Sequence, residues 1–205
     1  MKTFITCLSF LYALMTAGCA LQCEVCFSRE SRHCSGDIKT CDEGTMDCQT
    51  VITEMIFHGQ DPIYNIFKNC STKEGGHKSN AYQSRGQNFT YQLVQHFCSS
   101  NECNRNDSAI EIPVQDNTEN GRCCNAGLDL NATSCQPSGT VKCTGKLTNC
   151  IYFGGIVQFS LNPMAMAYHA CVTIKSTKDL PDFPTRAMLR IDHLEFTKAF
   201  KCPQQ

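Results

Sequence analysis

The sequence lacks tryptophan altogether, and it lacks an excess of charge of either sign. Its 205 residues include 18 lysine and arginine residues against 19 aspartate and glutamate residues, a formal net charge of −1. Because affinity for the phosphate backbone depends on a basic surface, this balance argues against a nucleic-acid partner. No long apolar run follows the N-terminal segment, which excludes a polytopic membrane protein. The hydrophobic fraction of 41% nevertheless exceeds that of a disordered chain.

Catalytic and metal-binding motifs are missing as well. The chain has neither a Gly-x-Ser-x-Gly elbow nor a His-Glu-x-x-His helix, and its six histidines lie singly along the sequence. Only Cys23/Cys26 and Cys98/Cys103 come near the spacing of zinc ligands, and zinc would need them as reduced thiolates. We therefore predict no catalytic residues, no metal site and no cofactor, and we expect that the protein is not an enzyme.

Cysteine is the residue that the chain has in excess, with 17 in 205 positions. This density is typical of a disulfide scaffold, and disulfides persist only in an oxidising compartment. The N-terminus agrees with that compartment, because Lys2 precedes an apolar stretch from Phe4 to Ala17 and then small residues. We predict a signal peptide over residues 1–20 and a secreted, extracellular protein.

The cleavage position sets the number of cysteines in the mature chain. Cleavage after Ala20 removes Cys7 and Cys19 and leaves 15 cysteines, whereas cleavage after Gly18 keeps Cys19 and leaves 16. The segment Phe196–Gln205 is polar and lacks the hydrophobic tail of a lipid-anchor signal. We therefore expect no membrane anchor.

The cysteine spacing repeats along the chain. Six residues separate Cys41 from Cys48, and six separate Cys143 from Cys150. A further 21 residues separate Cys48 from Cys70, and 20 separate Cys150 from Cys171. Such a repeat indicates a duplicated unit. We predict one domain over 21–103, a polar linker over 104–120 and a second, divergent domain over 121–205.

The residues between the cysteines favour β-structure. Segments rich in β-branched and aromatic residues predict five strands: Gln49–Phe57, Tyr64–Phe67, Asn88–Phe97, Cys150–Ser160 and Met166–Thr173. His58–Pro62 and Ser71–Ser84 are polar and predict turns. A weak period in Pro184–Phe200 predicts a helix.

Two runs of the first half resemble a known family. Leu21-Gln-Cys23-Glu-Val-Cys26 resembles the opening of the urokinase-receptor and lymphocyte-antigen-six family, and Cys98-Ser-Ser-Asn-Glu-Cys103-Asn104 resembles its closing signature. The resemblance implies an all-β, small disulfide-rich fold of two tandem three-finger, snake-toxin-like domains. In this family three β-hairpins project from a palm of packed disulfides, inside which Asn104 would form hydrogen bonds. The family pairing, carried onto this sequence, implies four bridges in the first half: Cys23–Cys48, Cys26–Cys34, Cys41–Cys70 and Cys98–Cys103.

The second half matches the family less closely. The resemblance implies Cys124–Cys150 and Cys143–Cys171, with Cys123–Cys135 as a third bridge. The closing signature is absent, so Cys202 is the expected unpaired or intermolecular thiol, unless it pairs with Cys123 or Cys135 in a rearranged palm. Such a thiol would allow the protein to form a disulfide-linked oligomer. A non-covalent oligomer is the alternative.

Two groups of tandem, secreted three-finger proteins share the features of this chain. They are the sodefrin-precursor-like factors, which are amphibian courtship pheromones, and the gamma-type inhibitors of phospholipase A2. Ile66–Cys70, Asn120-Gly121 and Leu194–Cys202 resemble both groups, and the opening run favours the pheromones. The resemblance implies a non-enzymatic binding protein whose partner is a chemosensory receptor. The alternatives are an inhibitor of secreted phospholipase A2 and a non-signalling or toxin-like component of a secretion.

The surface of such a protein would carry its specificity in the finger tips, here His58–Pro62 and Ser71–Ser84. No binding residue is assigned from the sequence. Four Asn-x-Ser/Thr sequons predict a glycoprotein. Asn106 and Asn131 are the preferred sites, and Asn69 and Asn88 are less favoured because they fall beside a bridged cysteine and on an expected strand.

Overall fold

The computed structural model describes residues 20–71, 79–106, 110–157, 162–177 and 189–203. The expected signal peptide lies outside these residues, apart from Ala20. Within these ranges strands account for almost all of the regular structure, which also includes a short 3₁₀ turn at Cys103–Arg105. Within the described residues, no helix is long and apolar enough to cross a membrane.

The first half consists of three consecutive antiparallel hairpins. Each hairpin pairs neighbouring strands in the chain, β1 with β2, β3 with β4 and β5 with β6. The strands are β1 (Gln22–Arg29), β2 (Asp37–Thr40), β3 (Cys48–Phe57), β4 (Ile63–Cys70), β5 (Asn80–Arg85) and β6 (Phe89–Cys98). Further pairing of β1 with β4 and of β3 with β6 joins the hairpins into one sheet.

The second half repeats this pairing. Its strands are β7 (Glu119–Asp129), β8 (Gly139–Thr144), β9 (Asn149–Val157), β10 (Met164–Val172), β11 (Leu189–Lys198) and β12 (Phe200–Lys201). The order β8-β7-β10-β9-β11 matches the order β2-β1-β4-β3-β6, strand for strand. The structure therefore repeats in its hydrogen bonding what the cysteine spacing repeats in the sequence. The domain boundaries at 103/104 and 120/121 remain a proposal.

The predicted strands are confirmed, with their ends shifted by at most three residues, except that residues 158–160 lie outside the described part of the chain. The helix predicted over Pro184–Phe200 is wrong from residue 189 onward, because Leu189–Lys198 is strand β11 and pairs with β9; residues 184–188 lie outside the described residues. Leu194 and Phe196 are two residues apart, so in a strand both side chains face the core, which a helix would not allow. Pairing with a neighbouring strand thus determines the secondary structure of a segment whose own hydrophobic pattern is weak.

An apolar core joins the two halves. Met55 of β3 packs with Phe153, Val157 and Met166 of the second half. The Phe89 ring meets the Tyr168 ring edge-on at a centroid distance of 4.9 Å, a favoured aromatic geometry. The end of β10 also pairs with β5, which makes the sheet continuous from one half to the other.

The expected linker packs against the first half. Ile110 is buried with Ile52, Ile66 and Val94 on one face of that sheet. Further along, the Gln115 amide donates a hydrogen bond to the carbonyl of a β5 residue at 3.4 Å. The segment therefore lies along the sheet instead of spanning open solvent.

Gly154 shows how closely the second half is packed. A Cβ at this position would overlap the carbonyl oxygen of Thr133, which belongs to the loop before β8. We expect Gly154→Ala to destabilise the protein by about 1–3 kcal/mol, because either the loop or the strand must shift. Equilibrium unfolding in urea checks this, with Gly139→Ala as the control, since a Cβ at Gly139 meets nothing within 4 Å. Equal stabilities of the two variants would contradict the packing described.

Candidate binding surface and the bonds that support it

Two hairpin tips of the first half, those of β3–β4 and β5–β6, are exposed and are joined by a hydrogen bond. Residues 58–62 connect β3 to β4 and are exposed from His58 to Pro62. The His58 amide donates a 2.8 Å hydrogen bond to the carbonyl of Asn88, which lies in the turn between β5 and β6. Gly59 adopts a φ of 78°, a conformation that favours glycine. The tips therefore form one surface held in a fixed relation.

The second predicted tip, Ser71–Ser84, is only partly a loop. Residues 72–78 lie outside the described residues, and Asn80–Arg85 is strand β5. Ser84 is buried at 3% exposure where β5 meets β10. The expectation of a turn up to Ser84 is therefore wrong, because pairing with β6 on one side and β10 on the other outweighs the polar composition.

A row of hydrogen-bonded side chains crosses four strands below the tips. Tyr64 donates from its hydroxyl to Glu54 at 2.9 Å, Gln92 donates to the same carboxylate at 3.0 Å, and Gln83 donates to Gln92 at 2.9 Å. The guanidinium of Arg32 lies 5.4 Å from the centre of the Tyr64 ring. We call these five residues the polar row. Because each carboxylate oxygen of Glu54 already has a donor, the row is preorganised for contact with a partner.

The electrostatics of the polar row follow from its contacts. Burial raises the pKa of Tyr64, and the hydrogen bond to Glu54 and its negative charge raise this pKa further, while the positive charge of Arg32 lowers it. Tyr64 therefore stays protonated as a hydrogen-bond donor at physiological pH. The sequence did not single out the row, because its members are adjacent only once the strand register is known.

A buried ion pair supports the base of the first half. Lys68 has 0% exposure, and its ammonium lies 2.7 Å from a carboxylate oxygen of Glu24. It also donates to the carbonyls of Cys34 and Arg105 at 3.2 and 3.1 Å. One cation therefore connects β4, β1, the β1–β2 loop and the 3₁₀ turn.

Hydrogen bonds at Glu24 complete this centre. Burial alone raises the pKa of Glu24, but the hydrogen bond from Lys68, the backbone amide of Gly36, the Ser35 hydroxyl and the charge of Lys68 together hold it below its ordinary value. Asn104 binds the backbone of Glu24 twice, accepting from its amide and donating to its carbonyl, both at 2.9 Å. Asn104 thus takes the buried position that the family resemblance implied.

The first half contains the four disulfides that the resemblance implied: Cys23–Cys48, Cys26–Cys34, Cys41–Cys70 and Cys98–Cys103. The sulfurs of Cys23 and Cys41 lie 3.2 Å apart, so two of the bridges pack against each other. In the second half Cys124–Cys150 and Cys143–Cys171 pack in the same way, with a 3.5 Å sulfur contact between Cys124 and Cys143.

The cysteine sulfurs that converge in each palm could be mistaken for a metal site. They are Cys23, Cys41 and Cys70 in one half, and Cys124, Cys143 and Cys171 in the other. In the structure each of these sulfurs belongs to a disulfide, so it does not offer the thiolate that a metal requires.

The third bridge of the second half differs from the expectation. The structure joins Cys123 to Cys202 and leaves Cys135 as the free cysteine among the described residues. The expected Cys123–Cys135 bridge and the expected free thiol at Cys202 are therefore corrected, and the alternative in which Cys202 pairs with Cys123 describes the structure. Pairing of Phe200 in β12 with Cys123 in β7 brings the two cysteines together.

Gly127 explains why Cys135 has no partner. Gly127 is the equivalent of Cys26. In the first half, Cys26 lies three residues after Cys23 and opposite Lys68. In the second half, Gly127 lies three residues after Cys124 and opposite His169. A Cβ at Gly127 would lie 3.6 Å from the Cys135 sulfur. Gly127 thus occupies the position of the missing cysteine. Burial, and then the charge of Asp129, raise the pKa of the Cys135 thiol, which makes it a poor nucleophile at neutral pH.

Restoring that cysteine should restore the bridge. We expect Gly127→Cys to form an eighth disulfide with Cys135, so that thiol titration of the denatured mature protein falls from one thiol to none. The matched control is Gly139→Cys, which faces open space and should raise the count to two. A count of two for Gly127→Cys would contradict the equivalence of Gly127 and Cys26.

The sequons differ in exposure. Asn88 is exposed in the bend before β6 and not within a strand, so the reason for ranking it low is wrong. Asn131 is also exposed, as is Asn106, although the serine of the Asn106 sequon lies outside the described residues. Asn69 lies within β4, where its side chain accepts a 2.8 Å hydrogen bond from the Cys70 amide.

This difference predicts which sequons carry glycans. We expect occupancy at Asn88, Asn131 and Asn106 and none at Asn69, because a strand interior hinders access to the acceptor amide. Glycopeptide mass spectrometry of protein secreted from animal cells checks each site. Asn131→Gln should remove one glycan and leave the folded protein unchanged. Full occupancy at Asn69 alone would contradict this ranking.

Together these features define an all-β, disulfide-rich protein with three-finger hairpins. Comparison with known proteins gives relatives of matching length. The phospholipase A2 inhibitor NAI of Notechis ater is 29% identical over 176 residues, covering 84% of this chain and 84% of the relative. A gamma-type phospholipase A2 inhibitor chain of Laticauda semifasciata is 26% identical over 158 residues, covering 75% and 82%. No family model matches the chain.

The resemblance to gamma-type phospholipase A2 inhibitors that the sequence indicated is confirmed, because both of these relatives are phospholipase A2 inhibitors. Among solved structures, mouse TEX101 covers 86% of this chain and 98% of its own at 15% identity and a TM-score of 0.40, a likeness too distant to bear on function. The homologues support a secreted, non-enzymatic binding protein. They match the inhibitor hypothesis better than the pheromone hypothesis, which stays a prediction.

Proposed function

We propose that this protein binds a secreted phospholipase A2 and inhibits it. The observation that carries the proposal is the 29% identity to a phospholipase A2 inhibitor across 84% of both chains. Coverage on that scale includes both halves, so the likeness is not restricted to one cysteine-rich segment.

The exposed tips and the polar row of the first half form the binding surface in this proposal. Disulfides and the buried Lys68–Glu24 pair fix the strands that present this surface, so little conformational freedom is lost on binding. Tyr64 and Arg32 in the polar row belong to residue types that often dominate the energy of protein interfaces. The bound protein would cover the entrance to the active site of the enzyme and keep phospholipid out.

The direct test measures hydrolysis of phospholipid vesicles by secreted phospholipase A2 with increasing amounts of the folded protein. We expect inhibition that saturates with protein concentration. A chain that has been reduced and alkylated should not inhibit, because it cannot hold the hairpins together. Unchanged hydrolysis by several secreted phospholipases at micromolar concentrations of folded protein would overturn the proposal.

A charge reversal tests the location of the surface. Asp61 is exposed in the β3–β4 tip, and Glu43 is exposed in the β2–β3 connection near the palm. We expect Asp61→Arg to weaken inhibition by at least tenfold and Glu43→Arg to leave it within twofold. Both variants should keep the thermal stability of the parent protein. The reverse order of effects would place the binding surface near the palm.

A further inference from the structure

A groove opens on the second half, on the side of its sheet that faces away from the shared core. It has a volume of about 150 Å³ and lies between β7 and β12 on one side and β9 and β11 on the other. The polar and aromatic residues of its lining are Asn125, Tyr152, His169, Glu195, Thr197 and Phe200. A cavity of this size holds one small ring or one side chain, and is too small for a cofactor or a lipid.

The groove occupies the position that the buried ion pair occupies in the first half. In the sequence, Asn125 directly follows Cys124, just as Glu24 directly follows Cys23. In the strand register, His169 lies opposite Gly127, and Lys68 lies opposite Cys26 at the equivalent position. The correspondence extends to a hydrogen bond. Lys68 donates to the Cys34 carbonyl at 3.2 Å, and a ring nitrogen of His169 lies 3.4 Å from the carbonyl of Cys135.

The second half lacks the buried cation of the first among its described residues. Asn125 carries no charge, and the imidazole of His169 is shorter than a lysine and stacks on Tyr152 with ring centres 4.5 Å apart. A carboxylate is nevertheless present, because Glu195 lies directly opposite Tyr152 on the neighbouring strand. Within the described residues Glu195 has no ion-pair partner, and no lysine or arginine lines the groove.

We infer that the groove binds the guanidinium group of an arginine side chain from a protein partner. Phe200, which is 40% exposed, supplies the open aromatic surface of the groove, whereas the Tyr152 ring is flanked by the imidazoles of His169 and His193, with ring centres 4.5 and 6.2 Å away. Glu195 supplies the negative charge, and the Asn125 amide oxygen and Thr197 hydroxyl supply further acceptors. A planar, weakly hydrated cation can stack on aromatic rings while it donates several hydrogen bonds to a carboxylate and its neighbours.

The chemistry distinguishes this ligand from others. An anionic group would be repelled by Glu195, and an apolar ring would leave that carboxylate without a partner. A lysine ammonium is a compact, strongly hydrated charge that cannot lie flat on the exposed Phe200 ring as a planar guanidinium can. The inference does not depend on the identity of the partner as a phospholipase.

The test is an NMR titration of the isotope-labelled mature protein with N-acetyl-arginine methylamide. The matched neutral ligand is N-acetyl-citrulline methylamide, which keeps the shape and loses the charge. We expect saturable shifts centred on Tyr152, His169 and Glu195 with the arginine ligand, and affinity at least tenfold weaker for citrulline. Glu195→Gln should weaken arginine binding by at least tenfold, while Glu111→Gln, an exposed residue of the 110–118 segment, should not change it.

N-acetyl-lysine methylamide is titrated in the same way. Three outcomes would overturn the inference: no saturable shifts around the groove, equal affinity for the citrulline ligand, or equal affinity for the lysine ligand. Each variant is a surface substitution of similar size, so the folded spectrum provides the check on structure. Inhibition of phospholipase A2 is measured in a separate assay. A lack of inhibition there would not affect the conclusion on arginine binding.

Discussion

Lys68→Met should destabilise the first half by about 3–5 kcal/mol, the cost of leaving a buried carboxylate without its counterion. Lys68 is fully buried and binds Glu24 and two backbone carbonyls. The substitution keeps the length and apolar stem of the side chain, so the loss comes from the charge and its hydrogen bonds.

The double variant Glu24→Gln/Lys68→Met separates the two contributions. Replacing both charges by neutral groups often costs little, because neither ion then has to be buried. We expect the double variant to regain a large part of the stability lost by Lys68→Met alone. The matched control is Lys142→Met, which breaks an exposed pair with Glu119 at 3.1 Å and should cost less than about 1 kcal/mol.

Lowering the pH should change the contribution of Glu24 to stability in opposite directions in the parent protein and in Lys68→Met. In the parent protein the pKa of Glu24 lies below its unfolded value, so the contribution of this group is present above the unfolded pKa and is lost as pH falls through the folded pKa. In Lys68→Met, burial without a counterion should raise the pKa of Glu24. Protonation of Glu24 then removes the buried charge. The difference in free energy of unfolding between the parent and Lys68→Met should therefore shrink as the pH approaches about 4.

Equilibrium unfolding in urea at neutral pH and at about pH 4 measures both effects. Hydrogen exchange at the amides of β3 and β4 assigns the loss to the first half. A Lys68→Met variant that is as stable as Lys142→Met at neutral pH would contradict the account of the buried pair.

The second large loss of stability is expected on removal of Cys123–Cys202, the bridge that differs from the family pattern. Removing it with Cys123→Ser/Cys202→Ser should cost about 2–4 kcal/mol. The bridge closes a sequence separation of 79 residues, and the entropy lost by the unfolded chain grows with the size of the loop. Cys124–Cys150 and Cys143–Cys171 already close parts of that loop, which keeps the effect below the roughly 4.5 kcal/mol of a single open loop.

The bridge also fastens the last strand to the palm. Ala199 is buried beside Cys124 and Cys143, and the Cys202 amide donates to the Gly121 carbonyl at 3.1 Å. Without the bridge, β12 should open first. Its amides should exchange with solvent faster, and the opposite wall of the groove at Phe200 should be lost with them.

The matched control for this variant is Cys98→Ser/Cys103→Ser, which removes a bridge with a sequence separation of only 5 residues. The same loop argument gives at most about 2 kcal/mol for it. Thermal unfolding of both double variants, with hydrogen exchange to locate the change, measures the difference. A smaller loss for Cys123→Ser/Cys202→Ser than for the control would contradict the role assigned to the bridge.

The sequence was sufficient to predict the framework of the first half. Its opening and closing cysteine runs match a known family in spacing, so the pairing implied by that family is the pairing in the structure. The strands rich in β-branched residues, such as Gln49–Phe57, were also predictable from composition. Strand β5 and strand β11 were not, because pairing with neighbouring strands, and not their own pattern, determines their structure.

The second half departs from prediction at one substitution. Gly127 stands where a cysteine would pair with Cys135, and a glycine in a β-strand carries no sign of this in the sequence. The family pattern therefore suggested Cys123–Cys135, whereas Cys123 is held near Cys202 by β12. The buried pair Lys68–Glu24 escaped prediction for a related reason: strand alternation places Lys68 inward only once its neighbours are known.

The central structural claim is that the disulfide frameworks of the two halves differ: Gly127 stands in the second half where Cys26 forms a bridge in the first, and Cys123 pairs with Cys202. Non-reducing peptide mapping of the secreted protein, after alkylation of free thiols under denaturing conditions, tests it most directly. We predict that the linked pairs include Cys123–Cys202 beside the six others of the structure, with Cys135 as the alkylated residue. Alkylation at Cys202, or a peptide linking Cys123 to Cys135, would contradict the account.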